Sequence, residues 1–500
     1  MQTVPDNTPL LSARWRSFWA IAGAVTVLRI IVLVFSQAEL GPDEAQYWYW
    51  SRDLAFGYFS KPPLIAWAIG ATTALFGNGE WAVRLSAPLF HFGAASFLYL
   101  IARDVFDRRI AFWTGLGWLT IPGVILSSFI IATDAPLLFF WSAALYFLFR
   151  IVSAEQPARR DFARLGAAIG LGLLSKYAMM YFIAGIVISL AFAPLRQKIL
   201  RPAIGWTVLI ALILFAPNII WNLQHDFQTL SHTAANANWG ASLFKPLSLV
   251  EFIGGQFLVF GLIPFGALII LITRTKPGGW DRDNLLLIVF ALTPLLVVAA
   301  QAFISRAHAN WAAAAYPAAL LIVTGFLFRS GLGWLAKASV ILHAFLLTVF
   351  SIGVLNLRFA DAVGGARAVQ DLRGWEEQTA AIAARGQGYD AILIDDRYLI
   401  SEMLYYQRHA NTEIAALDPN ASVSHHFEAF KAFEPERHKR VLFVTTRDDD
   451  AHVNYRFRSI ERLGGVKALN GSSKPRRYTL YALEDYVPPG PGRRQLRDQR

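Results

Sequence analysis

Long uncharged apolar runs recur through most of this chain, and they constrain its fold more than any other feature. Residues 17–36, 203–220, 285–304 and 338–355 each approach the length that crosses a bilayer, which takes about 20 residues as a helix. Inside lipid a backbone must satisfy its own N–H and C=O groups, so such runs are helical. Only 16% of residues are charged, against about 25% in an ordinary soluble domain. The runs predict an α-helical polytopic membrane protein with about 11 to 13 spans.

Charge orders the loops between them. Lysine and arginine collect on the cytoplasmic side of a membrane. Arg14 and Arg16 precede the first span and place the N-terminus inside; Arg103, Arg108 and Arg109, then Arg150, Arg159, Arg160 and Arg164, mark later inner loops. Arg196, Lys198 and Arg201, then Arg274, Lys276 and Arg282, then Arg329 and Lys337, continue the alternation. The loops around Asp43, 127–133, Lys176, 221–245 and 305–310 then lie outside, with 62–76 as a short membrane-dipping helix. The first apolar run lacks a small-residue cleavage site and is a retained span rather than a cleaved signal. The net charge of +11 reads as this topology and not as a nucleic-acid surface, since no basic face interleaved with exposed aromatics is present.

Composition changes after Asn356. Residues 361–386 have helical periodicity, 391–395 and 440–446 read as buried strands, 398–407 as a helix, and 457–464 and 476–484 as further strands. The expected organisation is a disordered N-terminus over 1–14, a membrane catalytic domain over 15–357, a small outer α/β domain over 358–486, and a disordered Pro/Gly-rich tail over 487–500.

Outer loops are poor in cations, so polar clusters there are informative. They are Asp43–Glu44, Tyr58–Lys61, Thr133–Asp134, Lys176–Tyr177, His225–Asp226, His232 and Arg306–His308–Asn310. Sharing one membrane face, they suggest a single interfacial site. Asp43 and Glu44 follow the turn at Gly41–Pro42 and supply a general base and a partner that orients it. Lys61, stiffened by Pro62 and Pro63, is a point charge suited to a phosphate leaving group, or a lysine reaching for lipid headgroups. The run Tyr47–Trp50 reads as an interfacial aromatic belt before it reads as a sugar platform. Asp134 follows the candidate N-cap Thr133, and capping alone accounts for it equally well. Arg306 with His308 suits phosphate or carboxylate. His225 and His232 do not have metal-site spacing, and Arg29 inside the first span is a functional suspect by its position.

The chain has no cysteine, which excludes disulfides, thiolate metal sites and a cysteine nucleophile. It contains no GxxxxGK[ST], HExxH or GxSxG, so ATP-driven transport, zincin proteolysis and α/β-hydrolase chemistry have no support. A sugar-lipid flippase or transporter would concentrate polar residues at the bilayer midplane instead of one face. A non-catalytic membrane assembly protein would have no need of Asp43 or Lys61.

The segment GPDEAQYWYWSRDLAFGYFSKPPLIAW resembles the first outer loop of GT-C-class membrane glycosyltransferases. It is most like the bacterial branch related to protein O-mannosyltransferases and lipid A aminoarabinose transferases, which includes rhizobial-type galacturonosyltransferases. ATDAPLLFFW, GLGLLSKYAMM, PNIIWNLQHDF and ANWAAAAYPA are similar to later motifs of that branch, and the likeness covers about residues 15–330. The resemblance implies a polyprenyl-phosphate-linked sugar as donor substrate, no other cofactor, and transfer at the periplasmic face of a bacterial inner membrane. The acceptor would be lipid A, lipopolysaccharide core or another envelope glycolipid, with a protein acceptor as the alternative. It implies that Asp43 is the essential acid of the first loop and that Lys61 contacts the donor phosphate, with Tyr58, Tyr47 and Asp134 in support. Arg306 is carried over by loop position, and Lys176 and His308 join the supporting set. The aminoarabinose transferases have a glutamate before that lysine. Ser60 stands there in this chain, which argues against their substrate and against a metal at that point.

Overall fold

The protein is described by a computed structural model covering residues 9–235, 243–275, 279–418, 423–451, 453–468 and 475–488, with the side chains of 9–16 left aside. The expected disorder of 1–14 and of the tail falls largely outside these residues. The chain forms two compact units. One comprises the residues up to Phe35 together with Leu54–Ser351; the other comprises Ser36–Asp53 together with Ile352 onward.

The first unit is a bundle of apolar helices, and the chain is a multi-pass membrane protein. Among the described residues seven helices are long and apolar enough to cross a membrane: Ser17–Val34, Glu80–Val105, Asp134–Ser153, Ile204–Gln224, Arg282–Ile304, Ala309–Arg329 and Gly333–Leu355. An eighth is possible if the pair Tyr177–Ser189 and Ala193–Ile199, bent by 114°, is one span. The expectation of about 11 to 13 counted apolar runs, and several of those runs are interrupted. The run 246–274 breaks at Gly261, whose φ of +104° a side chain rarely adopts, into Pro246–Val259 and Leu262–Arg274. Arg108–Thr120 stops before Pro122, which has no N–H to continue the ladder. The fully buried Arg29 donates Nη2 to the Leu119 carbonyl at that break. Its recorded partner is therefore a backbone acceptor freed by the interruption, not a carboxylate.

Close approach comes from small residues. Gly166 and Gly170 of Arg159–Ser175 face the helix Ile204–Gln224; a Cβ at Gly166 would stand 2.4 Å from the Thr207 carbonyl oxygen, and one at Gly170 2.9 Å from Leu214 Cβ. Thr207 Oγ1 donates to the Phe162 carbonyl at 2.9 Å across the same contact. Without a hydrophobic drive inside lipid, such close packing and interhelical bonding hold helices together. Aromatic contacts fill the core, with Phe18 stacked on Tyr99 at 4.2 Å and Phe182 set against Trp141 and Phe290 at 5.0 and 4.5 Å.

The second unit is built on a five-stranded mixed sheet in the order β2-β1-β3-β5-β4, with β1 Ala391–Ile394, β2 Glu413–Ala416, β3 Arg440–Thr445, β4 Phe457–Lys467 and β5 Arg477–Tyr486. β2, β1 and β3 run parallel; β5 pairs antiparallel with both β3 and β4. Alternate residues serve opposite faces. Ile392, Ile394, Leu442 and Val444 join one core with Trp375, Leu399 and Met403, while Leu393, Val441 and Phe443 join the other with Val453 and Tyr481. The region 361–386 is not one helix. Gly364 (φ +81°) and Gly374 (φ +77°) divide it into Leu357–Ala362, Ala366–Val369 and Trp375–Arg385.

Ser36–Asp53 is woven into this unit. Gln37 N–H donates to the Val354 carbonyl and Glu39 N–H to the Leu372 carbonyl, both at 2.8 Å, and the Glu39 carboxylate accepts from the Trp375 N–H at 2.5 Å. Burial pushes the Glu39 carboxyl up despite that bond. Leu40 N–H donates to the Tyr406 hydroxyl at 2.9 Å.

Candidate active site

Asp43 lies in the first turn of the helix Pro42–Trp50. Pro42 opens the helix, where its missing N–H costs nothing. Glu44 turns back so that its Oε2 accepts from the Gly41 N–H at 2.9 Å, and it is buried. Glu44 thus fixes the turn that carries Asp43, satisfying a donor the helix start leaves without a partner. The Asp43 side chain remains 61% exposed, and its Oδ1 accepts from Arg397 Nη1 at 2.8 Å. The same Nη1 donates to Gln46 Oε1 at 2.9 Å.

Arg397 is the first residue of the helix Arg397–Tyr406, directly after β1, and Asp396 caps that helix by accepting from Leu399 N–H at 2.8 Å. The guanidinium lies 4.7 Å from the Tyr398 ring centre. Burial works against its charge, the Asp43 carboxylate and the Tyr398 hydroxyl together outweigh that, and its pKa stands raised. Burial also pushes the Asp396 carboxyl up, against the Leu399 N–H and Tyr478 hydroxyl bonds that favour its charge.

The aromatic run packs against rings of the α/β unit. Trp48 meets Tyr405 edge-on at 4.9 Å, Tyr49 lies 5.5 Å from Phe427, and Trp50 lies 5.5 Å from His426. Tyr47 is buried, 5.3 Å from Trp50. Successive residues point around a helix at about 100° intervals, and here the α/β unit supplies partners for most of that circumference.

Lys61 belongs to the first unit and is half-buried in the loop between Leu54 and the helix Leu64–Phe76. The loop folds back on itself, with Tyr58 N–H donating to the Lys61 carbonyl at 3.1 Å and the Ala55 N–H donating to the Tyr58 hydroxyl at 3.1 Å. Three neutral side chains then tie down its carbonyls. Trp67 Nε1 donates to Ala55 at 2.9 Å, Asn218 Nδ2 to Phe56 at 2.6 Å, and Thr229 Oγ1 to Tyr58 at 2.6 Å. Gly57 is required by the close approach of Trp221, whose ring carbon lies 2.4 Å from where a Cβ would sit.

Behind this loop is a polar chain. Asn218 Oδ1 accepts from the Tyr177 hydroxyl at 2.9 Å, and Asn222 Nδ2 donates to that hydroxyl at 3.2 Å. The adjacent Lys176 pairs with Asp134 at 2.8 Å, largely buried on both sides. Thr133 precedes that helix without a side-chain capping bond, and Asp134 pairs with the lysine. The helix Ile204–Gln224 that carries both asparagines is the one seated on Gly166 and Gly170.

Arg306 and His308 are both exposed between Arg282–Ile304 and Tyr316–Arg329. The Arg306 carbonyl accepts from Gln301 Nε2 at 3.3 Å, and His308 lies 5.3 Å from Trp311. The stretch 221–245, expected as a loop, is helical to Gln224 and again over Gln228–Ala235, and its residues 236–242 lie outside those described. His225 stacks on Trp221 at 4.0 Å and His232 sits by Phe59 at 5.7 Å, so the two histidines take separate partners.

Sequence reasoning did not single out Gln46, Trp67, Asn218, Asn222, Thr229 or Arg397. Asn218 and Asn222 carried a signal, being two amides one helical turn apart in an otherwise apolar span. Arg397 carried none, lying more than three hundred residues from its acceptor.

Residues 60–221 match the family described as dolichyl-phosphate-mannose-protein mannosyltransferase. The chain is 32% identical to the lipid A galacturonosyltransferase RgtD of Rhizobium johnstonii over 433 residues, 86% of this chain and 91% of that protein. It is 29% identical over 258 residues to the lipopolysaccharide core galacturonosyltransferase RgtB of the same organism, about half of each protein (51% and 51%). The crystal structure of ArnT from Cupriavidus metallidurans superposes with a TM-score of 0.63 at 17% identity, covering 94% of this chain and 98% of ArnT. The same fold recurs in ArnT bound to undecaprenyl phosphate, with a TM-score of 0.63 at 16% identity, over 93% of this chain and 97% of that one. With a relative matched across both of its units, the chain belongs to the GT-C membrane glycosyltransferases, in the family of the rhizobial galacturonosyltransferases.

Proposed function

We propose that this enzyme transfers a hexuronic acid of the galacturonic type from a polyprenyl-phosphate carrier to lipid A or lipopolysaccharide core, at the periplasmic face of an inner membrane and with inversion. The observation that carries this reading is the match to a lipid A galacturonosyltransferase along 86% of the chain, both units included. An acceptor oxygen bonds to the anomeric carbon as the bond from that carbon to the phosphate oxygen breaks. The electron pair of the broken bond leaves with the polyprenyl phosphate.

In this mechanism Asp43 takes the acceptor's proton as it attacks. Its exposed carboxylate on a capped and buried helix fits a base that must reach substrate without shifting its backbone. Lys61, helped by Arg306, meets the charge that develops on the departing phosphate. The tied backbone of the Lys61 loop fits a cation that holds its position as the leaving group moves. Glu44, Tyr47 and Tyr58 keep the two loops in shape, and the Asp134–Lys176 pair braces the helices behind. Where the acceptor is a lipid A phosphate, the nucleophile is already ionised and Asp43 positions it.

Mass spectrometry of lipid A and core oligosaccharide, with and without the gene, tests the function. Loss of one hexuronic acid, restored by the intact gene and not by one encoding Asp43→Asn, is expected. An unchanged envelope glycan, or loss of a neutral sugar, overturns it.

A further inference from the structure

We infer that Arg397, supplied by the C-terminal α/β unit, is the residue that recognises the carboxylate of the transferred uronic acid. This rests on the donor proposed above. A uronic acid differs from a neutral hexose by one carboxylate, carried on the ring carbon that adjoins the ring oxygen, so it lies close to the anomeric centre. Bringing it out of water requires a fixed cation. A guanidinium fork matches a carboxylate through two parallel bonds, which an ammonium does not.

Arg397 meets these demands. It touches Asp43, the residue assigned to the acceptor oxygen, so it stands beside the reacting end of the sugar. Its bonds to Asp43 and Gln46 both come from Nη1, and the Tyr398 hydroxyl is a further hydrogen-bond partner of the guanidinium. They set the plane of the fork, while a guanidinium has five donor hydrogens in all. The side chain is still 32% exposed, enough for a substrate to reach. Its backbone is held by the Asp396 cap.

The place in the fold agrees. Arg397 follows the carboxyl end of β1, whose parallel neighbours β2 and β3 lie on opposite sides. In open α/β sheets ligands bind outside the carboxyl ends of the strands, where the strand order reverses. The other cations near the candidate residues have different settings. Lys176 is committed to Asp134, and Arg52 lies over Trp48 with its Nη2 on Ser51 Oγ.

The test measures binding of three lipids to the purified full-length protein: polyprenyl phosphate, its galactosyl form and its galacturonosyl form. Wild type is expected to prefer the uronic form over the neutral one. In Arg397→Gln that preference is expected to disappear, by a factor on the order of 10², with bare polyprenyl phosphate bound as before. In turnover the loss should enter through KM more than through kcat. Arg397→Lys keeps the charge without the fork and is expected to restore part of the preference. If Arg397→Gln weakens all three lipids together, Arg397→Lys decides: with bare-lipid binding intact, an undiminished preference for the uronic form overturns the assignment. A preference that survives in Arg397→Gln overturns it directly, leaving Arg397 to position Asp43. Wild type that transfers a neutral sugar and ignores the uronic donor sinks the proposed donor and this assignment with it, an outcome separable from a fault at Arg397 alone.

Discussion

The two segments that carry the charges assigned to the reaction are fastened by different means. Asp43 is oriented through another charge, the Arg397 guanidinium, on a helix whose own start is capped by Glu44. The loop that carries Lys61 is fastened through its backbone, by the neutral side chains of Trp67, Asn218 and Thr229, which all donate to its carbonyls. An ion pair with an exposed member rearranges at little cost, whereas a carbonyl stripped of a buried donor costs about 1–3 kcal/mol. The acid therefore has latitude to follow an acceptor, while the loop that carries the lysine is built as a fixed frame.

The largest effect that sharpens this contrast is at the charges themselves. Asp43→Asn should lower turnover by about 10²–10⁴-fold, the usual range for general acid–base catalysis, with donor-lipid binding nearly intact. Lys61→Ala should weaken donor-lipid binding as well as turnover, and Lys61→Arg should rescue only part, since a fork does not replace a point charge. Turnover and polyprenyl-phosphate binding, measured side by side, separate the two. Loss of binding in Asp43→Asn with normal turnover of bound donor would reverse the assignment.

Next in size is a neutral change behind the lysine. Asn218→Ala leaves the Phe56 carbonyl and the Tyr177 hydroxyl short of a partner. It should destabilise the protein by about 1–3 kcal/mol and weaken donor binding, with the pH–rate profile unmoved. A thermal melt and a pH–rate profile check both halves. A shifted profile with unchanged binding would contradict the independence of the two supports.

A smaller effect separates the units by pH. His426 is buried among Trp50, Phe427 and Phe430, and burial, with His425 adding to it, pulls its pKa down from 6.5 to about 3. The unfolded chain then binds more protons than the folded one between those values, so the contribution to stability falls as pH drops below 6.5 and is lost progressively toward 3. His426→Phe should flatten the fall in melting temperature between neutral and mildly acidic pH. An unchanged slope would show that other groups dominate. Smallest of all is the expected effect of chelation. With no cysteine and Ser60 in place of an acid beside Lys61, activity should persist in chelator, and loss restored by manganese or zinc would mark Asp43 and Glu44 as ligands.

Much of this architecture was legible because burial writes itself into local sequence. The spans appear as apolar runs, and β1 and β3 as short runs flanked by polar residues, because both strands are buried on two faces. β2 was missed because Glu413–Ala416 is four residues long with two alanines, which have little strand preference. The helical periodicity over 361–386 does not register the two glycines at positive φ that divide it. At the site, Asp43 and Lys61 stood out by residue type and loop position. Asn218 and Arg397 did not, since what defines them is a hydrogen bond to a residue far away in the chain.

The helix Pro42–Trp50 leaves the ribosome early, but the strands and helices it folds with come last. Residues 54–351, most of the other unit, are made in between. At about 5–20 residues per second, the wait is roughly 15–60 s, during which Trp48 and Trp50 lack the Tyr405 and His426 rings that later cover them. The acid of the proposed site is thus seated only when synthesis is nearly complete. A chain that stops before residue 352 carries Asp43 and Lys61 in its sequence but has no Arg397 to set the first of them. On the proposed assignment, activity needs synthesis to run through the α/β unit.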